Sequence, residues 1–565
     1  MRRWISLSFA LPLAACATVS APPPTVPLAT PIEVQVLAFN DFHGNLETPA
    51  AVEVTEADGR KVKIPTGGAV YLSAALAKLR AGQANSVTVS AGDTIGATPL
   101  TSALFLDEPT IIAMNMLGLE YNAVGNHEFD KGVPELMRMQ TGGCVQHTRR
   151  MPCAVEPFSG GKFRYLAANV VKPDGTTVFP ATGIKTFPTA TGPIKVGFIG
   201  MTLKDTGLLV TPSGVKGLSF ADEAATANAQ VPALKAQGAD AIILLLHQGG
   251  RTRAFTRGNG CEGFYGEIKP IVAKLDPAIS TIVSGHTHWA YVCKDGEGEA
   301  RPGQLITSAG KNGYFVTDIR LTFDPATKRL IEQRAVNDVV GAGENGTDAA
   351  MAAHVGKYVA AAAPLANRLV GTLRETALRS EVDFESPAAD LIADSMLAAT
   401  RAKEKGGAQI ALVNATGVRV NLPGGPVRYR DAFSMMPFGN NLLVLTLRGA
   451  ELKTVLEQQY AIPLRPNATL PAALAPSMGF TYTVDVTRPE GDRVTKMQLD
   501  GKSIEPTRDY RITVNNYVAS GGDGLSGFTK GRDIADPGII DIDAMIAWIA
   551  PGRTPPKADR LTVKN

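Results

Sequence analysis

Five of the seven histidines in this sequence fall just after short apolar runs, in company with aspartate, asparagine and glycine. The positions are Asp41-Phe42-His43, Gly92-Asp93, Gly125-Asn126-His127-Glu128, a lone His247, and Gly285-His286-Thr287-His288. Imidazole, carboxylate and amide-oxygen donors together suit divalent transition metals, and the absence of cysteine from the set argues against a closed structural zinc site. A carboxylate between two cations can bridge them. Such a pair, ~3.5 to 4 Å apart, clamps the attacking and leaving oxygens of phosphoryl transfer. Each piece alone also fits something plainer. Asp-x-His and Gly-Asp are ordinarily turns or caps, Asn126 to Asp130 could cap a helix, and His247 could be a core or rim histidine. His147 and His354 lie outside any such context and read as surface residues.

Groups so far apart in sequence can meet only if the fold gathers them. The apolar runs Ile32 to Phe39, Ser86 to Val89, Tyr121 to Val124, Lys195 to Ile199, Ala241 to Leu246 and Thr281 to Val283 read as strands. Helix-like stretches, Gly68 to Arg80 and Ala221 to Gln237, lie between them, and Tyr314 to Phe323 alternates as a half-buried strand. This is a layered α/β domain, and side chains at the C-terminal ends of its strands converge on one rim. An Ala-rich, helix-like stretch from Ala349 to Ala363 meets Pro364 and marks a connector, placed at 346–366. Beyond it, Ile410 to Val413, Leu442 to Leu447 and Tyr510 to Val514 belong to a second α/β unit, bounded at 367–553.

At 565 residues the chain exceeds one ordinary core, and 44% hydrophobic with 19% charged residues describes a globular protein. Its net charge of +3 gives no reason to expect a nucleic-acid polymer as partner. Arg2 and Arg3 precede the apolar run Trp4 to Leu13, too short to span a bilayer, as an export leader does. Leu13-Ala14-Ala15-Cys16 resembles the bacterial lipobox, which implies a leader over 1–15, acylation of Cys16 and, through Ala17, periplasmic placement on the outer membrane. The alternatives are an ordinary cleaved signal with an incidental cysteine and a soluble periplasmic protein. A Pro-rich tether fills 16–31. Setting Cys16 aside leaves Cys144, Cys153, Cys261 and Cys293: two disulfides, for which proximity favours Cys144 with Cys153 and Cys261 with Cys293, or four buried thiols.

In their order the first-half motifs resemble the calcineurin-type metallophosphoesterases. The resemblance implies a four-layer α/β/β/α sandwich over 32–345, with Asp41, His43, Asp93 and His288 on one metal and Asp93, Asn126, His247 and His286 on the other. Asp93 would bridge, metal-bound water would attack, and His127, oriented by Asp130, would stabilise the transition state or protonate the leaving oxygen. Zn, Mn or Co would each suit the site. His288 stands where the 5′-nucleotidase branch often has glutamine, so the metal is left open.

The second half resembles the C-terminal domain of the 5′-nucleotidase and UDP-sugar hydrolase family through Asn414-Ala415-Thr416-Gly417-Val418-Arg419, Pro437-Phe438-Gly439-Asn440 and Ala519-Ser520-Gly521-Gly522-Asp523-Gly524. It implies base stacking on Phe438 and Tyr517, a base-edge contact from Asn440, a ribose acceptor in Asp523, and phosphate contacts from Arg379 and Arg419 beside Asn414. Apart from the resemblance, Phe438 and Tyr517 could equally be core. Ala415 and Thr416 replace glycines of the pattern, and Asp383 stands where some members carry arginine. The expectation is a phosphoesterase acting on a nucleotide or similar small phosphate ester, monomeric by default. Its rivals are a cyclic-nucleotide or UDP-sugar phosphodiesterase, a thiosulfate-releasing relative, and a non-catalytic nucleotide-binding lipoprotein.

Overall fold

The computed structural model describes residues 30–564 except 50, 57, 253–256, 295, 298–299, 342–344, 381–384 and 461–473. The leader, Cys16, nearly all of the tether and Asp383 lie outside the described residues.

In the first half the apolar runs form two six-stranded sheets. One has the order Leu330–Val339, Phe315–Phe323, Ile32–Phe39, Ser86–Ser90, Tyr121–Ala123, Arg164–Leu166. The other runs Ala290–Lys294, Leu305–Ala309, Ile279–Ser284, Ala241–His247, Ile194–Thr202, Thr182–Phe187. Val34, Val36, Val87 and Val89 of the first sheet share a core with Val196, Phe198, Ile243 and Leu245 of the second. Helices Ala69–Arg80, Glu108–Leu117 and Val133–Thr141 cover the outer face of the first sheet through Leu72, Ile111, Met114 and Leu136. Helices Glu223–Ala236 and Ile268–Val272 cover the second through Val231, Leu234 and Ile268. The result is the four-layer α/β/β/α sandwich, and each of these fully buried aliphatic side chains contributes about 1.5–3 kcal/mol of transfer free energy. The strands that carry the site are mutually parallel within each sheet, so their C-terminal ends lie at one rim.

Helix Ala349–Ala366 links the halves, capped by Asp348, whose carboxylate accepts the Ala350 and Met351 N–H groups. It runs through Pro364 rather than stopping there, because a proline in the last turn forfeits a single intrahelical bond. It also corrects the reading of His354, which is buried on this helix with Nε2 2.8 Å from Pro109 O. The Ala-rich run hid that buried face.

The second half has a five-stranded sheet in the order Leu474–Pro476, Ile410–Asn414, Asp509–Asn515, Leu442–Arg448, Arg532–Ala535. Helices Pro387–Thr400 and Asp541–Ile549 pack on one face and Gly449–Gln458 on the other. Leu100 and Ala103 of the first half join the core under the former pair. A smaller sheet includes Leu561–Lys564, parallel to Phe480–Asp485, so the unit continues beyond 553. That strand is short and follows a Pro- and Gly-containing stretch, which masked it in the sequence.

Arg560, at the start of that strand, forms a buried charge cluster. It pairs with Asp394 at 2.7 Å, while Glu385 accepts the Arg560 and Leu561 backbone N–H groups and the fully buried Asp390 lies 3.6 Å from the guanidinium. Burial, reinforced by the Glu385 charge, raises Asp390 from 3.8 to about 9. A group whose folded pKa is raised contributes stability that is present below its unfolded pKa and lost as pH climbs through the folded one. The fall in melting temperature between pH 6 and pH 9 should therefore be smaller in Asp390→Asn than in wild type, by at least ~3 °C. Equal slopes in parallel thermal melts would contradict the assignment.

Candidate metal centre

Each motif leaves a strand end and turns sharply into the rim. Five of the seven expected ligands sit in the left-handed region: Asp41 (φ 49°), His43 (48°), Asp93 (49°), His286 (69°) and His288 (61°). Such backbone costs free energy and is retained where the surroundings force it, commonly at functional sites. Glycine is required opposite them. A Cβ on Gly125 would overlap Asp93 Oδ1, and one on Gly92 would come within 2.7 Å of His247 Nδ1.

The structure gathers the seven residues into two adjoining groups. Asp41, His43 and His288 form one, with His43 Nε2 3.0 Å from His288 Nε2 and His288 Nε2 3.5 Å from Asp41 Oδ1. Asp93, His247 and His286 form the other. Here His247 Nε2 is 3.1 Å from Asp93 Oδ2, and Asn126 Oδ1 lies 3.1 Å from His247 Nε2 and 3.0 Å from His286 Nδ1. Asp93 Oδ2 is also 3.8 Å from His43 Nε2, so this carboxylate faces both groups. Asp41, His43, Asp93, Asn126 and His247 are buried, whereas His286 and His288 are half-exposed and mark the open side.

The donor set fits a pair of divalent cations, and the outer hydrogen bonds show why. His43 Nδ1 lies 2.9 Å from Gly96 O and His247 Nδ1 2.7 Å from Ala91 O, so each carbonyl takes a ring N–H and turns Nε2 inward. Inward nitrogens 3.0 Å apart on His43 and His288 are what a shared cation reconciles. Burial lowers His43 and His286 to about 3 and His288 well below its ordinary value, which keeps these imidazoles neutral and coordinating. Burial raises Asp41. Burial would also raise Asp93 and lower His247, but each overrides that effect in the other: Asp93 is held well below the carboxylate range and His247 rises to about 10. A proton and a cation thus compete for the same Nε2.

His127 belongs to neither group. Its Nδ1 lies 2.9 Å from Asp130 Oδ2, which also accepts Ala97 N–H at 3.1 Å. Burial alone would depress His127, but Asp130 and Asp93 outweigh it and favour the charged form.

The sequence reading missed Glu128. This buried carboxylate accepts the Asp93 N–H at 2.9 Å, the Gly125 N–H at 2.7 Å, the Thr94 N–H at 2.9 Å and the Thr94 hydroxyl at 2.8 Å. It ties two ligand loops together, a role that its place in Asn-His-Glu could have suggested. Glu128→Gln turns an amide NH₂ toward those donors. Metal affinity should fall about 10- to 100-fold, read by competition with a chelator, while circular dichroism stays native. Undiminished affinity would count against the role.

In the second half, strands Ile410–Asn414 and Asp509–Asn515 are parallel and Leu442–Arg448 is antiparallel to the latter, which brings three loops to one edge. Phe438 from the middle loop stacks on His127, ring centroids 6.2 Å apart at 14°, and the Arg419 guanidinium lies over the Phe438 ring, 5.8 Å from its centroid. The Arg419 charge reaches His43, His127 and His288. The Tyr517 hydroxyl meets Leu208 O of the first half at 3.1 Å and Asp523 Oδ1 at 2.8 Å. Asn414 Nδ2 donates to Asp523 at 2.8 Å, and Asn440 O accepts the Asp541 N–H. Arg379 is half-buried, its backbone N–H on Asn421 Oδ1 at 2.8 Å. Away from the site, Cys144 is bonded to Cys153 and Cys261 to Cys293, and His147 is exposed.

Two donor groups on the rim of an α/β/β/α sandwich, closed over by a second domain, define a metallophosphoesterase, a metal-dependent phosphoester hydrolase. A family model described as calcineurin-like phosphoesterase matches residues 34–290, and one described as 5′-nucleotidase, C-terminal domain matches 359–530. The chain belongs to the 5′-nucleotidase family. It is 31% identical over 495 residues to the endonuclease YhcR of Bacillus subtilis, which covers 86% of this chain; this chain spans 37% of that protein. With the NAD 5′-nucleotidase of Haemophilus influenzae it shares 26% identity, over 91% of this chain and 88% of the relative. The crystal structure of a 5′-nucleotidase precursor from Thermus thermophilus superposes with a TM-score of 0.73 at 25% identity, covering 94% of this chain and all of that one.

Proposed function

We propose that the protein is an exported 5′-nucleotidase that hydrolyses nucleoside 5′-phosphates to nucleoside and phosphate. The observation that carries the reading is the stacking of Phe438 on His127. It sets an aromatic face and the Arg419 guanidinium, both from the second domain, directly over the cation-binding rim of the first. Bound at the two groups, divalent cations would supply Lewis acidity to the phosphate and a water activated for attack. Arg419, a planar guanidinium, pairs with phosphate oxygens, with Arg379 supporting it. His127, its Nδ1 engaged by Asp130, keeps Nε2 for the leaving oxygen. Phe438 and Tyr517 offer faces to the base, Asn440 reads its edge, and Asp523, held by Asn414, accepts a ribose hydroxyl.

Relatives named as 5′-nucleotidases support this substrate class. The leader with Cys16 and the two disulfides support export to the periplasm with a lipid anchor. Among the described residues no helix is long and apolar enough to cross a membrane.

The test is phosphate release from nucleoside monophosphates, ATP, UDP-glucose, cyclic nucleotides and an aryl phosphate, each with Zn, Mn or Co. Nucleoside 5′-monophosphates should give the highest kcat/KM. A higher value for UDP-glucose, a cyclic nucleotide or the aryl phosphate would overturn the reading, and no hydrolysis with any metal would leave a binding protein.

A further inference from the structure

The nucleoside reading, on which this inference rests, puts a sugar hydroxyl on Asp523, and the acceptor positions of that carboxylate can be counted. A backbone donor sets the orientation of each group in turn. Val518 N–H donates to Asn515 Oδ1 at 2.8 Å, so Asn515 turns its NH₂ to Asn414 Oδ1 at 3.1 Å. Asn414 therefore presents its own NH₂ to Thr416 Oγ1 at 2.7 Å and to Asp523 Oδ2 at 2.8 Å. The Thr416 oxygen, accepting from Asn414, has its one proton left for Asp523 Oδ2 at 2.6 Å. Oδ2 is thus filled by Asn414 and Thr416. The Tyr517 oxygen accepts the Asp523 N–H at 3.0 Å, and its one proton goes to Oδ1 at 2.8 Å, the nearer acceptor, rather than to Leu208 O at 3.1 Å. An ionised carboxylate offers about four acceptor positions, so one remains open, on Oδ1.

We propose that Thr416 is a specificity-determining residue: by occupying Asp523 Oδ2 it leaves the carboxylate able to receive one sugar hydroxyl and not two. The protein then loses little when one of the two ribose hydroxyls is missing. Removing the Thr416 hydroxyl frees a second position and makes the grip on the cis-diol bidentate.

The experiment compares kcat/KM of the metal-loaded enzyme for adenosine 5′-phosphate and its 2′-deoxy and 3′-deoxy forms in wild type, Thr416→Ala, Thr416→Ser and Asp523→Ala. In wild type one of the deoxy substrates should fall within about threefold of the ribonucleotide, since no hydrogen bond to the charged group is lost. In Thr416→Ala the preference for the ribonucleotide over that substrate should rise about tenfold, carried by KM, and Thr416→Ser should restore the wild-type ratio. A wild-type loss of about tenfold or more with both deoxy substrates, an unchanged ratio in Thr416→Ala, or a serine variant that behaves like alanine would overturn the proposal. Asp523→Ala separates the two levels. If it leaves the KM for the ribonucleotide unaltered, the nucleoside reading itself fails; if it raises that KM while Thr416→Ala changes nothing, only the role of Thr416 falls.

Discussion

Asp93→Asn should lower kcat by ~10³-fold or more and reduce bound metal from two equivalents toward one. Asp93 is the carboxylate that faces both donor groups, 3.1 Å from His247 Nε2 and 3.8 Å from His43 Nε2 through the same oxygen. Its other oxygen accepts the His127 backbone N–H at 2.9 Å, so under the proposed mechanism one side chain would set both cation positions and the placement of the proton donor. Asparagine nearly preserves the shape and can still accept the His127 N–H, but it removes the negative charge that would hold two cations close together. Cations at such a centre contribute several kcal/mol of transition-state stabilisation, and each ~1.36 kcal/mol is a factor of ten. Metal content by elemental analysis and phosphate release decide it: two equivalents retained with kcat within about tenfold of wild type would remove the bridging role.

What made this centre legible was the coincidence of two independent patterns. The strand runs could be read because a strand buried on both faces is a continuous apolar run, and each ended beside a residue able to ligate. Parallel neighbours then brought Asp41, Asp93, Asn126, His247 and His286 to one rim without further information. Glu128 was legible only as a carboxylate next to the ligands in Asn-His-Glu; that it accepts backbone N–H groups has no spacing signature, and its partners, at Asp93, Thr94 and Gly125, are known only from the fold. His354 was misread for a related reason, since helical alanines do not show which face is covered. The C-terminal strand escaped notice because four residues carry too little periodicity to stand out, although Leu561 and Val563 alternate onto the core next to the Arg560 cluster. In the second half the loops were readable by resemblance, whereas the occupation of Asp523 Oδ2 depends on Thr416, a departure whose contact only the hydrogen-bond geometry reveals.

His127→Ala should separate protonation of the leaving group from metal binding. The ring stands outside both donor groups, with Nδ1 on Asp130, so its loss should leave two metals bound. Its effect should depend on what departs. A nucleoside leaves as an alkoxide that needs a proton or a strong hydrogen bond, and positioned acids of this kind contribute about 10²- to 10⁴-fold. A nitrophenolate is stable without one. kcat for a nucleoside monophosphate should therefore fall by about 10²-fold or more, while that for p-nitrophenyl phosphate falls about tenfold or less. Asp130→Asn should show the same selectivity with a smaller loss, because it leaves the imidazole present but no longer fixes its tautomer or favours its charge. Equal losses on both substrates would assign His127 to phosphate binding alone, and loss of metal in step with activity would make it a structural support of Asp93, whose carboxylate its backbone N–H already holds.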